Sequence, residues 1–363
     1  MMEWLATDRV MEAGWQALVL VLLRSTLLLG VLMVVMHRFR DATAVVRARV
    51  LSMGLLALLV LPLLTFWLPV LALPVAEVPR VLFQAPAWSA AAAGASSGTA
   101  VPARGWLGTM AALPLVSVAS AIWFAGAAVL LLRFAVQSAR IRTIATRADT
   151  CAGPCAAALD AARRRMGIRQ HIRVAWTERT DTPVMFGWNR PTILLPREAR
   201  GWSPARLEAV LCHELAHVAR MDYVWLVVAE VIHAIYWPNP LVRRARNALR
   251  LEQDKACDGA AVQAGVPATD YAATLLALAR SSPRMQPRAA LPLLSAGRTS
   301  PLRTRIRALL ERRTADPDKK PTRTRAALAV LLASVVFLAA AEPWQCTGGA
   351  LPPVIELPGI TVY

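Results

Sequence analysis

Charge is scarce in this chain, and most of what there is has one sign. Only 18% of its 363 residues are charged and 56% are hydrophobic, with a mean hydropathy of +0.44. An average soluble domain carries about a quarter charged residues, so a purely soluble globule is excluded, and a chain this apolar is not a disordered tail. The 23 acidic residues face 41 basic ones, a net charge of +18, and only three of the basic residues are lysines, Lys255, Lys319 and Lys320. That shortage of lysine reads as coding bias and carries no mechanism.

The basic excess is confined to one stretch. From Arg133 to Arg325 there are 33 Lys and Arg against 16 Asp and Glu, so 17 of the 18 net charges lie there. Spread along a soluble protein they would suggest nucleic acid; placed between apolar runs they follow the positive-inside rule, and no direct nucleic-acid contact is expected.

Four apolar runs frame that stretch. Trp15 to Met36 contains one charge, Arg24; Val50 to Val75 and Trp106 to Leu132 contain none; Ala326 to Ala341 contains none but has only 16 residues. The first three exceed the roughly 20 residues that cross about 30 Å of hydrocarbon. The fourth covers about 24 Å, with Arg323 and Arg325 placed to snorkel on one side and Trp344 to anchor the other. Glu3, Asp8 and Glu12 are wrong for the basic start of a signal peptide, so the first run reads as a retained helix with Arg24 turned toward a neighbour. The loop 37–49 holds Arg38, Arg40, Arg47 and Arg49, whereas 76–105 is nearly uncharged. The expected organisation is therefore a membrane domain, 1–132, with three transmembrane helices near 15–36, 50–75 and 106–132. A cytoplasmic domain, 133–325, follows, then a fourth transmembrane helix, 326–341, and an extracytoplasmic tail, 342–363.

Cysteine usage follows that topology. Cys151, Cys155, Cys212 and Cys257 fall on the reducing side, where no disulfide is expected, and Cys346 falls outside. Cys151 and Cys155 lack the partner pair of a zinc knuckle and read as small buried thiols.

Within 133–325 the pattern is α+β. A helix is predicted from Cys155 to Met166 and a strand around His171 to Trp176. Pro183 to Trp188 and Pro191 to Leu195 read as short edge strands joined at Asn189 and Arg190. Ser203 and Pro204 open a helix to about Arg220, and Asn239 and Pro240 open another to about Gln263, stopped by Gly265 and Pro267. The apolar run Tyr223 to Trp237 contains Glu230 and His233 and reads as a buried or membrane-surface helix.

The first of these helices carries His213, Glu214, Leu215, Ala216 and His217. Histidines at i and i+4 lie one turn apart on one face, where both imidazoles reach a single Zn²⁺, with Glu214 beside the first to act as general base. Two solvated histidines on a surface helix would give the same spacing, but the chain has just five histidines. A third ligand is needed. Glu252 and Asp254 are about 200° apart on their helix, so only one can face the metal, and His233 is a further candidate.

These residues resemble the BlaR and MecR type of integral-membrane antirepressor zinc metallopeptidases, which are similar in their metal site to Ste24 and HtpX proteases. The resemblance covers roughly residues 10 to 340. It rests on His213-Glu-Leu-Ala-His217 with Arg220 and Asp222, Thr182-Pro-Val-Met-Phe-Gly187, Pro191-Thr-Ile-Leu-Leu-Pro196, Trp237-Pro-Asn-Pro240 and Glu252-Gln-Asp-Lys-Ala-Cys-Asp258. It implies a mainly α-helical integral membrane protein with about four transmembrane helices and a cytoplasmic α+β zincin-like domain, multi-pass in a bacterial inner membrane. It also places the third ligand at Asp254, where the family has Glu, with Glu252 as the alternative. Asp258 and Asp222 are implied to orient the ligand histidines, and substrate is implied to lie along an edge strand including Pro183 and Gly187 or Ile193 and Leu194. The expected partners are a cytoplasmic protein substrate, in the family a winged-helix repressor, and membrane lipid, with a homodimer left open. About 22 residues follow Ala341, too few for the family's penicillin-binding sensor. Three readings stay open: regulated cleavage of a repressor, quality control of membrane proteins, and a degenerate signalling protein without catalysis.

Overall fold

The computed structural model describes residues 2–67, 71–73, 115–281, 302–311 and 321–343. The expectations for the loop 76–105, for Trp106 to the start of the third helix, and for Trp344 and Cys346 lie outside the described residues.

Helix α1 (Met2–Arg38), helix α2 (Ala44–Trp67) and, beyond the short strand β1 (Leu71–Leu73), helix α3 (Leu115–Arg147) carry the first three apolar runs. Each is long and apolar enough to cross a membrane, over Val19–Arg38, Ala44–Pro62 and Ser117–Arg147. Helix α2 starts earlier than the run Val50 to Val75, because the Thr43 hydroxyl accepts from Val46 N at 3.4 Å and so starts the helix, taking Arg47 and Arg49 into it.

The next segment alternates small elements: strand β2 (Asp149–Thr150), helix α4 (Pro154–Met166), and strands β3 (Arg173–Thr177), β4 (Val184–Phe186) and β5 (Thr192–Pro196). The sheet order is β2-β3-β5-β4, with β3 parallel to β5 and both outer pairs antiparallel. This corrects one expectation. Thr192 to Leu195 is a central strand, with Ile193, Leu194 and Leu195 fully buried, and among the described residues β4 and β2 are the edges of this sheet. A strand covered on both faces needs a continuous apolar run and no alternation, which is what Ile-Leu-Leu supplies.

A 3₁₀ turn (Arg197–Gly201) leads to helix α5 (Pro204–Ala219), then helices α6 (Asp222–Ile235), α7 (Pro240–Gln263), α8 (Ala268–Ser281), α9 (Leu302–Leu310) and α10 (Pro321–Ala340). Strand β6 (Ala341–Pro343) pairs in parallel with β1. Helix α10 carries the fourth apolar run, Ala326 to Ala341, almost to its end.

Three apolar cores result, the smallest packing Ile141 and Ala145 of α3 against Ala175, Phe186 and Leu194 on the outer face of the sheet. The other two are larger. One lies between α4, the inner face of the sheet, α5 and α8, and includes Ile172, Ile193, Leu211, Leu215 and Tyr271. The other joins α1, α2 and α10 to α6 and the first half of α7, through Leu29, Leu51, Leu55, Ile232, Tyr236, Val242 and Val335. The turn between α6 and α7 is the tip of this hairpin and is tied to three helices. Asn239 Nδ2 donates to Ser25 Oγ and Thr26 Oγ1 at 3.3 and 3.1 Å, and the Tyr236 hydroxyl donates to Leu58 O at 2.9 Å. Trp123 Nε1 donates to Ile235 O at 2.6 Å, and Trp237 Nε1 donates to Trp123 O at 3.2 Å. All the partners lie inside the apolar runs, so the hairpin tip is wedged into the bundle. Helix α7 then runs about 36 Å from that tip toward the metal-ligand candidates.

A second expectation is corrected at the start of the domain. Cys151 and Cys155 form a disulfide, with Cα atoms 5.8 Å apart. Gly153, at φ +62, bends the chain so that the end of β2 meets the first turn of α4, a separation within the usual range for a bridge. The compartment argument weighs redox poise and is blind to this proximity. Cys212 and Cys257 remain free and buried.

Candidate metal centre

Helix α5 begins as its sequence requires. Ser203 Oγ accepts from Arg206 N at 3.3 Å, and Pro204 occupies the first turn, where its missing N–H costs nothing. Leu207, Leu211, Leu215 and Val218 recur at i, i+4, i+8 and i+11 and are buried in the core. His213 and His217 share another face, and their Nε2 atoms lie 3.3 Å apart.

Each histidine is oriented from behind. His213 Nδ1 lies 3.0 Å from Asp258 Oδ1 and 2.8 Å from the Tyr271 hydroxyl, which itself donates to Asp258 Oδ1 at 2.8 Å. His217 Nδ1 lies 2.9 Å from Asp222 Oδ2. A carboxylate can only accept. Both protons therefore sit on Nδ1, and both Nε2 atoms present lone pairs to the same point.

The positions of the two acids have local causes. Met221, between α5 and α6, adopts φ 55, and this left-handed residue turns the chain so that Asp222, the first residue of α6, comes back against His217. A non-glycine residue there costs on the order of 1–2 kcal/mol. Arg220 Nε adds a bond to Asp222 Oδ2 at 3.3 Å. Asp258 lies one turn beyond Asp254 on α7 and is 2% exposed. Burial alone would raise its carboxyl, but the hydrogen bonds and charge of Arg305, and then His213, hold it well below the usual carboxylate range. For Asp222, burial is likewise outweighed by His217 and then Arg220, and the carboxyl is lowered.

Of the two ligand candidates on α7, Asp254 points at the histidines, with Oδ1 3.8 Å from His217 Nε2. Glu252 points the other way: Oε2 lies 2.7 Å from Arg47 of α2, and Oε1 accepts from Lys255 at 2.9 Å. His233 is not in this cluster. It belongs to α6, where its Nδ1 is buried without a hydrogen-bond partner and Glu230 nearby pairs with Arg246 and Arg250.

His213, His217 and Asp254 offer one atom each within 4.8 Å of one another. Two nitrogens about 2.0–2.1 Å from a tetrahedral ion stand about 3.3–3.4 Å apart, so the histidine pair fits zinc as placed. The aspartate oxygen, 3.8 Å from His217 Nε2, stands wider than that geometry. The donor set, two neutral imidazoles and one carboxylate, is that of zinc or a similar divalent transition metal.

Glu214 is 7% exposed, and among the described residues its carboxylate has no hydrogen-bond or ion-pair partner. The edge strand β4 contacts α5 and is flanked by Pro183 and Gly187. Gly187 has φ +85, and a Cβ there would come within 3.0 Å of Arg190 O, so the turn into β5 requires glycine. Ile193 and Leu194 lie one strand further in and are not at the edge.

Three contributors escaped sequence reasoning. Tyr271 from α8 bonds His213 and Asp258. Arg305 from α9 donates through Nε to Asp258 Oδ2 at 2.8 Å and lies 3.6 Å from Asp254 Oδ2. Cys257 Sγ lies 3.3 Å from His217 Nδ1, and burial pushes its thiol up to about 12. The spacing of Cys257 after Asp254 placed it on the right helix, but Tyr271 and Arg305 had no local signal.

Fold and site together define a helical chain with membrane-spanning character, carrying an HExxH centre built across α5 and α7. The chain belongs to the BlaR1 peptidase M56 family, whose pattern it matches over residues 18–309. It is similar to the regulatory protein BlaR1 of Bacillus licheniformis, 26% identical over 144 residues, which is 39% of this chain and 24% of that protein. It is also similar to the methicillin resistance mecR1 protein of Staphylococcus aureus, 26% identical over 91 residues, which is 25% of this chain and 16% of that protein. The chain thus spans at most about a quarter of the length of these relatives.

Proposed function

We propose that this chain is a membrane-bound zinc endopeptidase of signal transduction, with residues 133–325 on the cytoplasmic side and a transcriptional repressor as its substrate. The observation that carries the reading is the pair of Nε2 atoms 3.3 Å apart, each fixed by a carboxylate on its own Nδ1, with Asp254 opposite. The arginine distribution supports the orientation, and family membership supports the peptidase activity. The repressor rests on the kinship with BlaR1, described as a regulatory protein.

His213, His217 and Asp254 would hold the ion. Zinc, when bound, lowers the pKa of a coordinated water and polarises a carbonyl. Glu214, buried beside His213 and free of protein partners, accepts the proton of the attacking water and returns it to the leaving amine. Asp258 and Asp222 fix the tautomer of the imidazoles and hold them correctly turned and unable to swing. Strand β4, with one side unpaired among the described residues, can add an extended substrate segment by main-chain hydrogen bonds.

The test is zinc content and cleavage by the purified full-length protein, with a co-encoded repressor as substrate, beside Glu214→Gln. The variant should keep its zinc and lose about 10²–10⁴-fold in rate. Normal cleavage by Glu214→Gln would remove Glu214 as the base. A wild-type protein that neither retains zinc nor cleaves would support the non-catalytic reading.

A further inference from the structure

Away from the metal centre, a cleft of about 750 Å³ opens between the last turns of α3 and the far edge of the sheet. Arg140 and Arg147 line it from α3 and face Arg179, Arg197 and Arg200 across a floor that includes Trp176. Positions 140 and 147 are two turns apart on one helix face, about 10 Å along the axis. Arg200 lies over the Trp176 ring, 5.7 Å from its centroid.

The wall carries two acids against these five cations. Glu178 pairs with Arg197, and Asp149 pairs with Arg200 at 3.2 Å. Among the described residues, Arg140, Arg147 and Arg179 have no carboxylate within ion-pair distance. Three uncompensated guanidiniums around an aromatic floor form a receptor for negative charge, and the volume is that of a ligand site, about 300–1,000 Å³.

Length and depth select the occupant. The apolar run of α3 ends at Leu132, and the headgroup layer beyond the hydrocarbon is about 5–8 Å thick. Arg140 stands about 12 Å past that end and Arg147 about 10 Å further, so a lipid phosphate in that layer reaches at most the first. An extended chain of about five residues, at about 3.3 Å each, covers the whole distance from Val136 to Arg147. The cleft lies at the β2–β3 edge, where α3 covers one face of the sheet, and the metal centre lies on α5, which covers the other face. A substrate held in the cleft reaches the metal centre with a further stretch of its chain.

We propose that this cleft binds an extended acidic polypeptide segment and serves as an exosite that presents a protein substrate to the metal centre. The presenting role rests on the peptidase reading above; the binding does not.

The experiment uses the full-length protein in phosphatidylcholine nanodiscs with a chelator present, so that no cleavage is needed. Fluorescence anisotropy would follow a labelled decapeptide rich in Asp and Glu, with its Asn and Gln counterpart as control. Two triple variants lose the same charge: Arg140→Gln/Arg147→Gln/Arg179→Gln in the cleft, and Arg164→Gln/Arg244→Gln/Arg303→Gln at exposed sites elsewhere. The acidic peptide should bind and its neutral counterpart should not. The cleft triple should weaken binding about tenfold or more, and the control triple by less than about twofold. Equal weakening by both triples would assign the effect to the net +18 and overturn the proposal, as would absence of binding. Unchanged peptide binding with loss of retained phosphatidylglycerol in the cleft triple would make this a headgroup site and also overturn it. Binding that holds while the cleavage assay fails would remove the peptidase reading and leave the acidic-segment site standing.

Discussion

Arg305 and Asp258 form a two-pronged ion pair, Nε to Oδ2 at 2.8 Å and Nη2 to Oδ1 at 2.5 Å, and the same aspartate orients His213. Asp258 is buried and Arg305 half-buried, and Arg305 also stands 3.6 Å from Asp254. Its charge lets two carboxylates lie one turn apart under the histidines, and its plane fixes which oxygen Asp258 turns to His213. Arg305→Ala should therefore weaken zinc binding about 10–100-fold and cost about 3–5 kcal/mol of stability. Arg305→Lys keeps the charge but not the two-pronged geometry, and should recover stability more than zinc affinity. Chelator competition and thermal melts measure the two separately. Full zinc affinity in Arg305→Ala would show that Asp258 needs no such partner.

The α6–α7 turn makes a different prediction. A Cβ added at Gly126 of α3 would meet the Trp237 ring at 2.6 Å, against a ring that is held by its bond to Trp123 O. The indole cannot yield without losing that bond. Gly126→Ala should destabilise the protein by about 1–3 kcal/mol, read as a lower melting temperature in detergent. Gly30 is the matched control, because nothing lies within 4 Å of its added Cβ. Equal melting of the two alanine variants would mean that α3 is not tied to the turn.

What could be read in advance, and what could not, divides by sequence distance. Ser203-Pro204 and Asn239-Pro240 mark the starts of α5 and α7 because capping is settled within a few residues. The opposed faces of Glu252 and Asp254 follow from helical geometry alone. Arg47, Tyr271 and Arg305 come from other elements, and nothing next to them in the chain marks what they touch. Strand order is equally non-local: β4 is formed before β5 yet lies outside it. The uninterrupted Ile193-Leu194-Leu195 was the one available sign that this strand is covered on both faces. The Cys151–Cys155 pairing required the position of β2 relative to α4.

Acid should weaken this architecture in a definite window. The carboxyls of Asp258 and Asp222 are held below their ordinary values, by Arg305 and His213 for the first and by His217 and Arg220 for the second, against the opposing effect of burial. A depressed carboxyl contributes stability in full above its unfolded value, about 3.9, and loses it as pH falls through the folded value. The melting temperature of the zinc-free protein should thus be insensitive to these two groups down to about pH 5 and fall below about pH 4. Asp258→Asn should start lower and lose less on acidification. An acid dependence unchanged in Asp258→Asn would assign the transition to other carboxylates.

The last prediction separates the two carboxylates of α7. Asp254 Oδ1 is 3.8 Å from His217 Nε2, whereas Glu252 is held between Arg47 and Lys255 on the side facing α2. Asp254→Ala should abolish tight zinc binding. Glu252→Ala should leave zinc nearly intact but strand two half-buried cations, costing about 1–3 kcal/mol in stability. One added methylene brings a carboxylate closer to the histidines from the same helix position, so Asp254→Glu should bind zinc at least as well as the parent. Cobalt substitution gives a readout independent of catalysis: the intense visible bands of a four-coordinate ion should persist in Glu252→Ala and Asp254→Glu and vanish in Asp254→Ala. Loss of those bands in Glu252→Ala to the same extent as in Asp254→Ala would mean that the ion is held by the carboxylate that here faces Arg47, and that α7 rotates when metal binds.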